Sequence, residues 1–316
     1  MTFSYNFNVL DNEDLAEAAR ETYGETPDLL ESSLADLRTW LAKSPHLQSI
    51  QQDEATLRTF LRGCNYSLER TKEKLDNFHA IKSSVPEWFS DWDPTLPLAQ
   101  EILGWGAYLP LPGFDRQGRM VLLSRAGSVI PSKCDFNGLM SVIQMIMNTA
   151  TQRAGDQGEI KGLVVISDME GASASHLTLF NISIMKKMIT MFESAWPMKP
   201  KAKHVVNMPK IIESLHNLTQ NMQKQKMRER TFLHHSNDLS ALHEDVGTEI
   251  LPTEYGGSNG CLSELTAYWK AEVTANRNQL LRLCEYRTDE ARRPGKPKSH
   301  ADLFGIEGSF RKLNID

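Results

Sequence analysis

The chain has 316 residues, and its 35 Lys and Arg against 40 Asp and Glu give a formal charge of −5. Hydrophobic residues at 40% and charged residues at 24% are ordinary for a globular chain of about two domains, long enough to bury a substantial core. That balance excludes bulk nucleic-acid binding, which needs a net basic domain, and no apolar run approaches the ~20 residues of a membrane span.

From the start, MTFSYNFNVLDNED lacks both a basic and an apolar region of a secretory signal. The sequons at Asn181 and Asn217 are then mute, and the reading is a reduced, cytoplasmic protein. Its four cysteines, Cys64, Cys134, Cys261 and Cys284, form no CxxC pair, so neither a zinc ribbon nor a redox motif is indicated. Residues 1–10 read as flexible. A helical domain over 11–90 follows. Pro27-Asp28 opens a helix through Leu29, Leu30, Leu34, Leu37 and Leu41, and Asp53 is placed to cap EATLRTFLRGC. Residues 85–98, rich in Pro and Trp, read as a linker.

The second domain, over 97–282, alternates strands and helices. YLPLPGFDRQGRMVLLSRAG predicts a hairpin around Asp115–Gly118, and 136–153 predicts a helix. KGLVVISDMEG is a buried strand ending in a turn, 176–195 is helical again, and KHVVN is a second buried strand. This order implies βαβ units and an open, mainly parallel sheet, hence an α/β fold behind an all-helical start. The tail over 285–316, with RRPGKPKSH, reads as loosely ordered from Thr288 onward.

No catalytic reading survives. GWGAYL has only the first two glycines of GxGxxG, GASAS lacks the glycine of a nucleophile elbow, and HEDVG at 243–247 lacks the second His of a zincin. Asp168 and Glu170 are better explained as ordering a turn, and His234-His235 as structural or solvated, so no metal or cofactor is expected.

Charge is unevenly spread. Residues 1–56 hold eleven acids against Arg20, Arg38 and Lys43, whereas 196–230 hold eight bases against Glu213 and Glu229. Within that basic stretch, Pro209 suits a first helical position, and Ile211, Ile212, Leu215, Leu218 and Met222 recur at helical spacing. Such a helix can simply pack on a core. Framed by Lys199–Lys203 before and Lys224–Arg230 after, it matches a surface that docks on anionic lipid.

FLRGCNYSLERTKEKL, LPLPGFDRQGRMVLL, VISDMEG, WPMKPKAKHVVNMP and LPTEYGG occur in this order between about Asp53 and Asn278. Together they resemble the CRAL-TRIO lipid-transfer family, in its tocopherol-transfer and retinaldehyde-binding branch and the insect-type paralogues. The resemblance implies a five-stranded sheet flooring an apolar cavity, closed by a mobile gate helix at about 209–223. It implies that Lys199, Lys201, Lys226 and Arg230 hold a phosphoinositide headgroup, with Lys201 where relatives have Arg. Pocket positions carried over in the same way are Ser141, Met145, Ile166, Ser167, Met188, Met191, Phe192, Lys203 and Val205. Three depart from the relatives: Ser167 and Ala172 replace aromatics, and Lys203 stands where they are apolar, facing either the basic patch or the pocket. A Met-rich, adaptable pocket follows.

The implied protein is a monomeric, non-enzymatic carrier of a tocopherol, retinoid or carotenoid, associating transiently with phosphoinositide-bearing membranes. A phosphatidylinositol carrier and a lipid-sensing scaffold without transfer remain alternatives.

Overall fold

The computed structural model describes residues 12–155, 161–234 and 238–305; the stretches read as a flexible start and as the end of the tail, 1–11 and 306–316, lie outside it. Helix α1 spans Asn12–Tyr23 and α2 Pro27–Ala42. Thr26 caps α2 by accepting from Leu29 N at 3.2 Å, with Pro27 in the first turn where its missing N–H costs nothing. Helix α3 (Glu54–Gly63) starts at Asp53, which accepts from Thr56 N at 3.0 Å, as its sequence predicts. With α4 (Leu68–Ser84), these helices close a first core on Leu34, Leu37, Leu41, Phe60, Leu61 and Leu75.

The stretch expected to be a linker is instead part of a second core. It forms α5 (Pro86–Phe89), and Trp88, Phe89 and Trp92 are at most 1% exposed. Trp88 Nε1 donates to Asn137 Oδ1 at 3.0 Å, and Trp92 Nε1 to Trp88 O at 2.9 Å. Composition misled here because proline initiates a helix as readily as it interrupts one, while large aromatics supply most of the buried area.

Helix α6 (Pro97–Gly104) leads into the sheet, whose strands run β1 (Tyr108–Phe114), β2 (Met120–Arg125), β3 (Leu163–Asp168), β4 (Pro200–Val206) and β5 (Thr231–Leu233), paired in that order. Strands β1 and β2 form the antiparallel hairpin, and the rest are parallel. The crossovers are α7 (Phe136–Gly155), then α8 (Ala174–Leu177) with α9 (Ile182–Thr190), then α10 (Lys210–Met222) with α11 (Gln225–Arg228). The helix expected over 176–195 is divided, because Asn181 caps α9 by accepting from Ile184 N at 2.8 Å and a π-helical turn closes it at Met191–Ala195. Helices α12 (Ser240–Val246), α13 (Leu262–Ala275), α14 (Arg277–Glu285) and α15 (His300–Phe304) follow.

The tail is not loose as far as Gly305. Arg293 makes paired bonds to Asp76 at 2.6 and 2.7 Å, Asp289 N donates to His46 O at 2.9 Å, and Phe304 is buried. A partly buried bidentate pair holds a segment that hydropathy alone would release.

Strand register separates the two faces of the sheet. Val121, Leu123, Val164, Ile166, Ala202 and His204 share one face, all at most 4% exposed. There His204 Nε2 meets Asp245 Oδ2 of α12 at 2.9 Å, and Tyr255 Oη donates to Asp168 Oδ2 at 2.5 Å. The other face carries the rows Pro110–Leu122–Val165–Lys203–Thr231 and Tyr108–Ser124–Ser167–Val205–Leu233. Right-handed crossovers along a sheet of this order carry α7, α9 and α10 over one common face.

Candidate functional site: a loosely filled sheet face, its cover helix and a basic rim

On the face bearing those two rows, Tyr108, Ser124, Val165 and Lys203 are only half-buried although they belong to the inner part of the domain. Interiors normally pack as densely as organic crystals, so half-exposure in central strands marks space beneath a cover. Helix α10 is the crossover from β4 to β5; burial, and then the charge of Lys203, holds His216 on it below its ordinary pKa. Thr219 Oγ1 of α10 also contacts Met185 Sδ of α9 at 3.7 Å. Tyr108 is pushed up to about 12, chiefly by burial.

Register puts Lys203 on the sheet face shared with Val165 and Thr231. The pairing of β3 with β4 shifts between Leu163 and Val164, which pair with Pro200 and Ala202 and leave Lys201 as an extra residue. A bulge of this kind breaks the alternation of side chains. It frees Lys201 from Lys203's face, and Lys201 feels Arg230, Arg119 and Lys226. Burial alone lowers Lys203.

The four basic positions implied by the resemblance meet at one rim. Burial, then the charge of Lys201, push Lys199 down to about 8, with Lys74 and Lys226 adding to the effect. The Lys199 amine bonds Asn65 Oδ1 and donates to Arg62 O at 3.3 Å, and it stands 5.6 Å over the Tyr23 ring. Burial and then Arg230 lower Lys201, while Arg230 donates to Pro200 O at 2.5 Å. Like charges held together in this way favour an anion with several oxygens. A cleft of about 480 Å³ opens beside them, lined among others by Arg58, Arg62, Lys161 and Lys199.

Helix α10 has two apolar aspects. Ile212 is buried and Leu215 and Met222 half-buried, but Ile211 and Leu218, seven residues apart, are 50% and 43% exposed. These two already face outward with the helix in place. The helix begins at Lys210, one residue later than expected, with Pro209 as its N-cap residue. Just before it, Asn207 adopts φ 54°, and its Nδ2 donates to Asp168 Oδ1 at 2.9 Å. Asparagine is among the few residues that accept a left-handed backbone cheaply.

The other pocket positions are dispersed. Ser167 and Val205 share Lys203's face, but Ile166, expected beside them, lies on the opposite face in register with His204. Adjacent strand residues point oppositely, so Ile166 and Ser167 cannot both line one cavity. Phe192 packs on Trp196, 5.9 Å between ring centroids, which in turn meets Phe78 of α4 at 6.4 Å, so it sits at the junction of the two cores. Met145 and Met191 are at most 1% exposed, and Ser141 and Met188 half-buried. Sequence reading missed Tyr108, Ser124, Val165 and His216. Register across the hairpin would have indicated the first two.

Asp168 Oδ1 also accepts from Glu170 N at 2.9 Å, which orders the turn after β3. His234 Nε2 lies 2.9 Å from His204 Nδ1; its neighbour His235 is outside the described residues. Among the described residues no group of three His, Cys, Asp or Glu side chains is placed to hold a metal, and no helix is long and apolar enough to cross a membrane.

Comparison with known proteins bears on the same segments. A family model described as CRAL/TRIO domain matches residues 105–257, and one described as Pinta-like, UBA domain matches 26–99. The chain is 32% identical over 270 residues to the alpha-tocopherol transfer protein-like protein of Mus musculus, covering 85% of this chain and 77% of that one. The Homo sapiens protein of that name matches with the same identity and coverage. Clavesin-1 of Mus musculus is 26% identical over 245 residues, 78% of this chain and 68% of the relative. With a relative above 30% identity across most of both chains and the domain model spanning the whole sheet, the chain belongs to the CRAL-TRIO family of lipid-binding proteins.

Proposed function

We propose that this chain is a non-enzymatic, monomeric carrier of the cytoplasm that holds an isoprenoid-type lipid between the sheet and α10. It exchanges that lipid at phosphoinositide-bearing membranes. The single observation that carries the reading is the contrast between the two sheet faces: one closed by α12 and the loop after it, the other with Tyr108, Ser124, Val165 and Lys203 half-buried among the buried Leu122, Ser167 and Val205. A face left loosely filled by the chain's own side chains is suited to an apolar guest, since burying a long hydrocarbon yields about 25 cal/mol per Å².

The remaining features give that space a way to open. Asn207-Met208-Pro209 supplies the hinge, with Asn207 tied to the end of β3. Ile211 and Leu218 supply an outward apolar ridge that can enter a lipid interface while the helix stays folded. Lys199, Lys201, Lys226 and Arg230 border that helix and supply the charge for a phosphoinositide headgroup.

The test is mass spectrometry of lipid released from the protein purified from cells. A stoichiometric isoprenoid-type lipid is the expected result. Recovery of phosphatidylinositol alone would replace the cargo with a phospholipid, and recovery of no lipid under any condition would leave a scaffold rather than a carrier.

A further inference from the structure

Two imidazoles that the carrier reading does not use are joined where β5 meets the sheet. His204 of β4 is buried, and its Nε2 lies 2.9 Å from Asp245 Oδ2 of α12. Its Nδ1 lies 2.9 Å from Nε2 of His234, the half-buried residue that follows β5. The two rings stack with centroids 5.1 Å apart, and Phe232 of β5 stacks on His204 at 5.3 Å. Strand β5 has only three residues and stands at the sheet edge, where Lys203 N donates to Arg230 O at 2.8 Å and His234 N to Val205 O at 2.9 Å. A strand so short has few ladder bonds, so its contacts with His204 carry a large share of its attachment.

The distances fix where the ring hydrogens sit. Arg119 Nη2 stands 3.0 Å from Asp245 Oδ2; burial opposes ionisation there, but His204 and Arg119 hold the carboxyl below its usual range. An ionised carboxylate only accepts, so His204 Nε2 carries the hydrogen and Nδ1 of the neutral ring is an acceptor. His234 then donates through Nε2, leaving its own Nδ1 bare. One added proton fits, on Nδ1 of His234. A second has no place: all four ring nitrogens then carry hydrogen, and two N–H groups of like-charged rings meet at 2.9 Å.

We propose that this imidazole pair is an acid-released clasp: protonation of both rings parts His234 from His204, lets β5 leave the sheet edge and frees the far end of the α10–α11 crossover. Among the described residues, Asp245 of α12 and Arg119, itself bonded to Asp115, face His204, and Asp238 acts on His234 from the segment beyond it. Burial holds both rings below their ordinary value, against Asp245 for His204 and Asp238 for His234. A ring depressed in the clasped state takes up its proton more readily once released. The clasp is therefore closed above pH ~6.5 and loosens as pH falls through that value. The inference does not depend on what the protein carries.

Amide hydrogen exchange of the full-length protein between pH 7 and pH 5, corrected for the intrinsic rate, reads the opening. The amides of Lys203 and His234, which bond across the β4–β5 pair, are expected to exchange about 10-fold or more faster at pH 5, the effect of one unit of linked shift. The amides of Val164 and Ile166 in β3 are expected to keep their rates, which separates release of β5 from unfolding of the domain. His234→Gln keeps an uncharged side-chain amide that can donate to His204 Nδ1 or accept from it, and is expected to abolish the acceleration. Ring-nitrogen chemical shifts of the wild type at pH 7.5 are expected to place hydrogen on Nε2 of both histidines, a readout that needs no variant. Equal exchange across the β4–β5 pair at both pH values, acceleration that spreads equally to β3 or survives His234→Gln, or hydrogen on Nδ1 of His204 at pH 7.5 overturns the clasp and leaves the carrier reading intact.

Discussion

Lys199 and Arg230 reach the same rim from opposite ends of the segment containing β4 and α10, and each is fixed by a backbone carbonyl: Arg62 O for the first and Pro200 O for the second. Each cation near an anionic surface contributes about 1 kcal/mol. Lys199→Ala with Arg230→Ala is therefore predicted to weaken binding to phosphoinositide liposomes by roughly 30-fold. Loading with a hydrophobic ligand should be unchanged, because neither side chain lies on the loosely filled face. Normal liposome binding by the double variant would assign the rim another purpose. Histidines set a second residue-level expectation. Burial, and then the charge of Lys82, push His79 down to about 3, and burial lowers His46, His204, His216 and His234 as well. A depressed folded pKa means that the unfolded chain takes up protons first, so stability present above pH ~6.5 is lost as pH falls through that value. His79 alone accounts for about 2 kcal/mol between pH 6.5 and 5. The melting temperature should drop across that range, and less steeply in His79→Phe; an identical slope would show that His79 is not the proton sink. The rim cations were legible in the sequence because they cluster and match a motif. Ile166 was misplaced because strands of a buried parallel sheet read as continuous apolar runs, with no alternation to mark the faces.

At the scale of elements, α10 divides its apolar residues between two tasks. Ile211→Glu with Leu218→Glu changes exposed positions, so stability should stay within about 0.5 kcal/mol. Delivery of cargo to liposomes should nonetheless fall about 10-fold or more, since the apolar ridge becomes acidic. Ile212→Ala should do the reverse, costing about 2–4 kcal/mol in thermal or denaturant unfolding. If the two sets of changes had the same effect on stability, α10 would be an ordinary packed helix. Helix α3 has an equally specific constraint. A Cβ on Gly63 would lie 1.9 Å from Pro197 O, so α3 can approach the segment before β4 only through glycine. Gly63→Ala should destabilise by about 1–3 kcal/mol, read as a lowered denaturation midpoint. Amphipathic periodicity made α10 readable from sequence, and the Asp53 cap likewise. The break at Asn181 was not readable, because the helical pattern continues across it and only the cap bond to Ile184 N decides.

Across the whole molecule, a helical core on α2, α3 and α4 leans on a larger α/β core, and Phe78 packs against both. The alternation of strands and helices gave the architecture away. The aromatic stretch 85–98 and the tail to Gly305 did not, since their order depends on long-range partners such as Asn137, Asp76 and Ser83 that no local window contains. That assembly leaves one sheet face closed by α12, while α10 crosses from β4 to β5 between two basic clusters of the sequence, and the proposed carriage of a lipid would join these features. The most direct measurement is transfer of a fluorescent retinoid or tocopherol from donor to acceptor liposomes, with and without phosphoinositide in the acceptor. Transfer that rises with protein concentration and rises further with phosphoinositide is the predicted result; transfer no faster than the protein-free rate, with every lipid tried, would contradict the account.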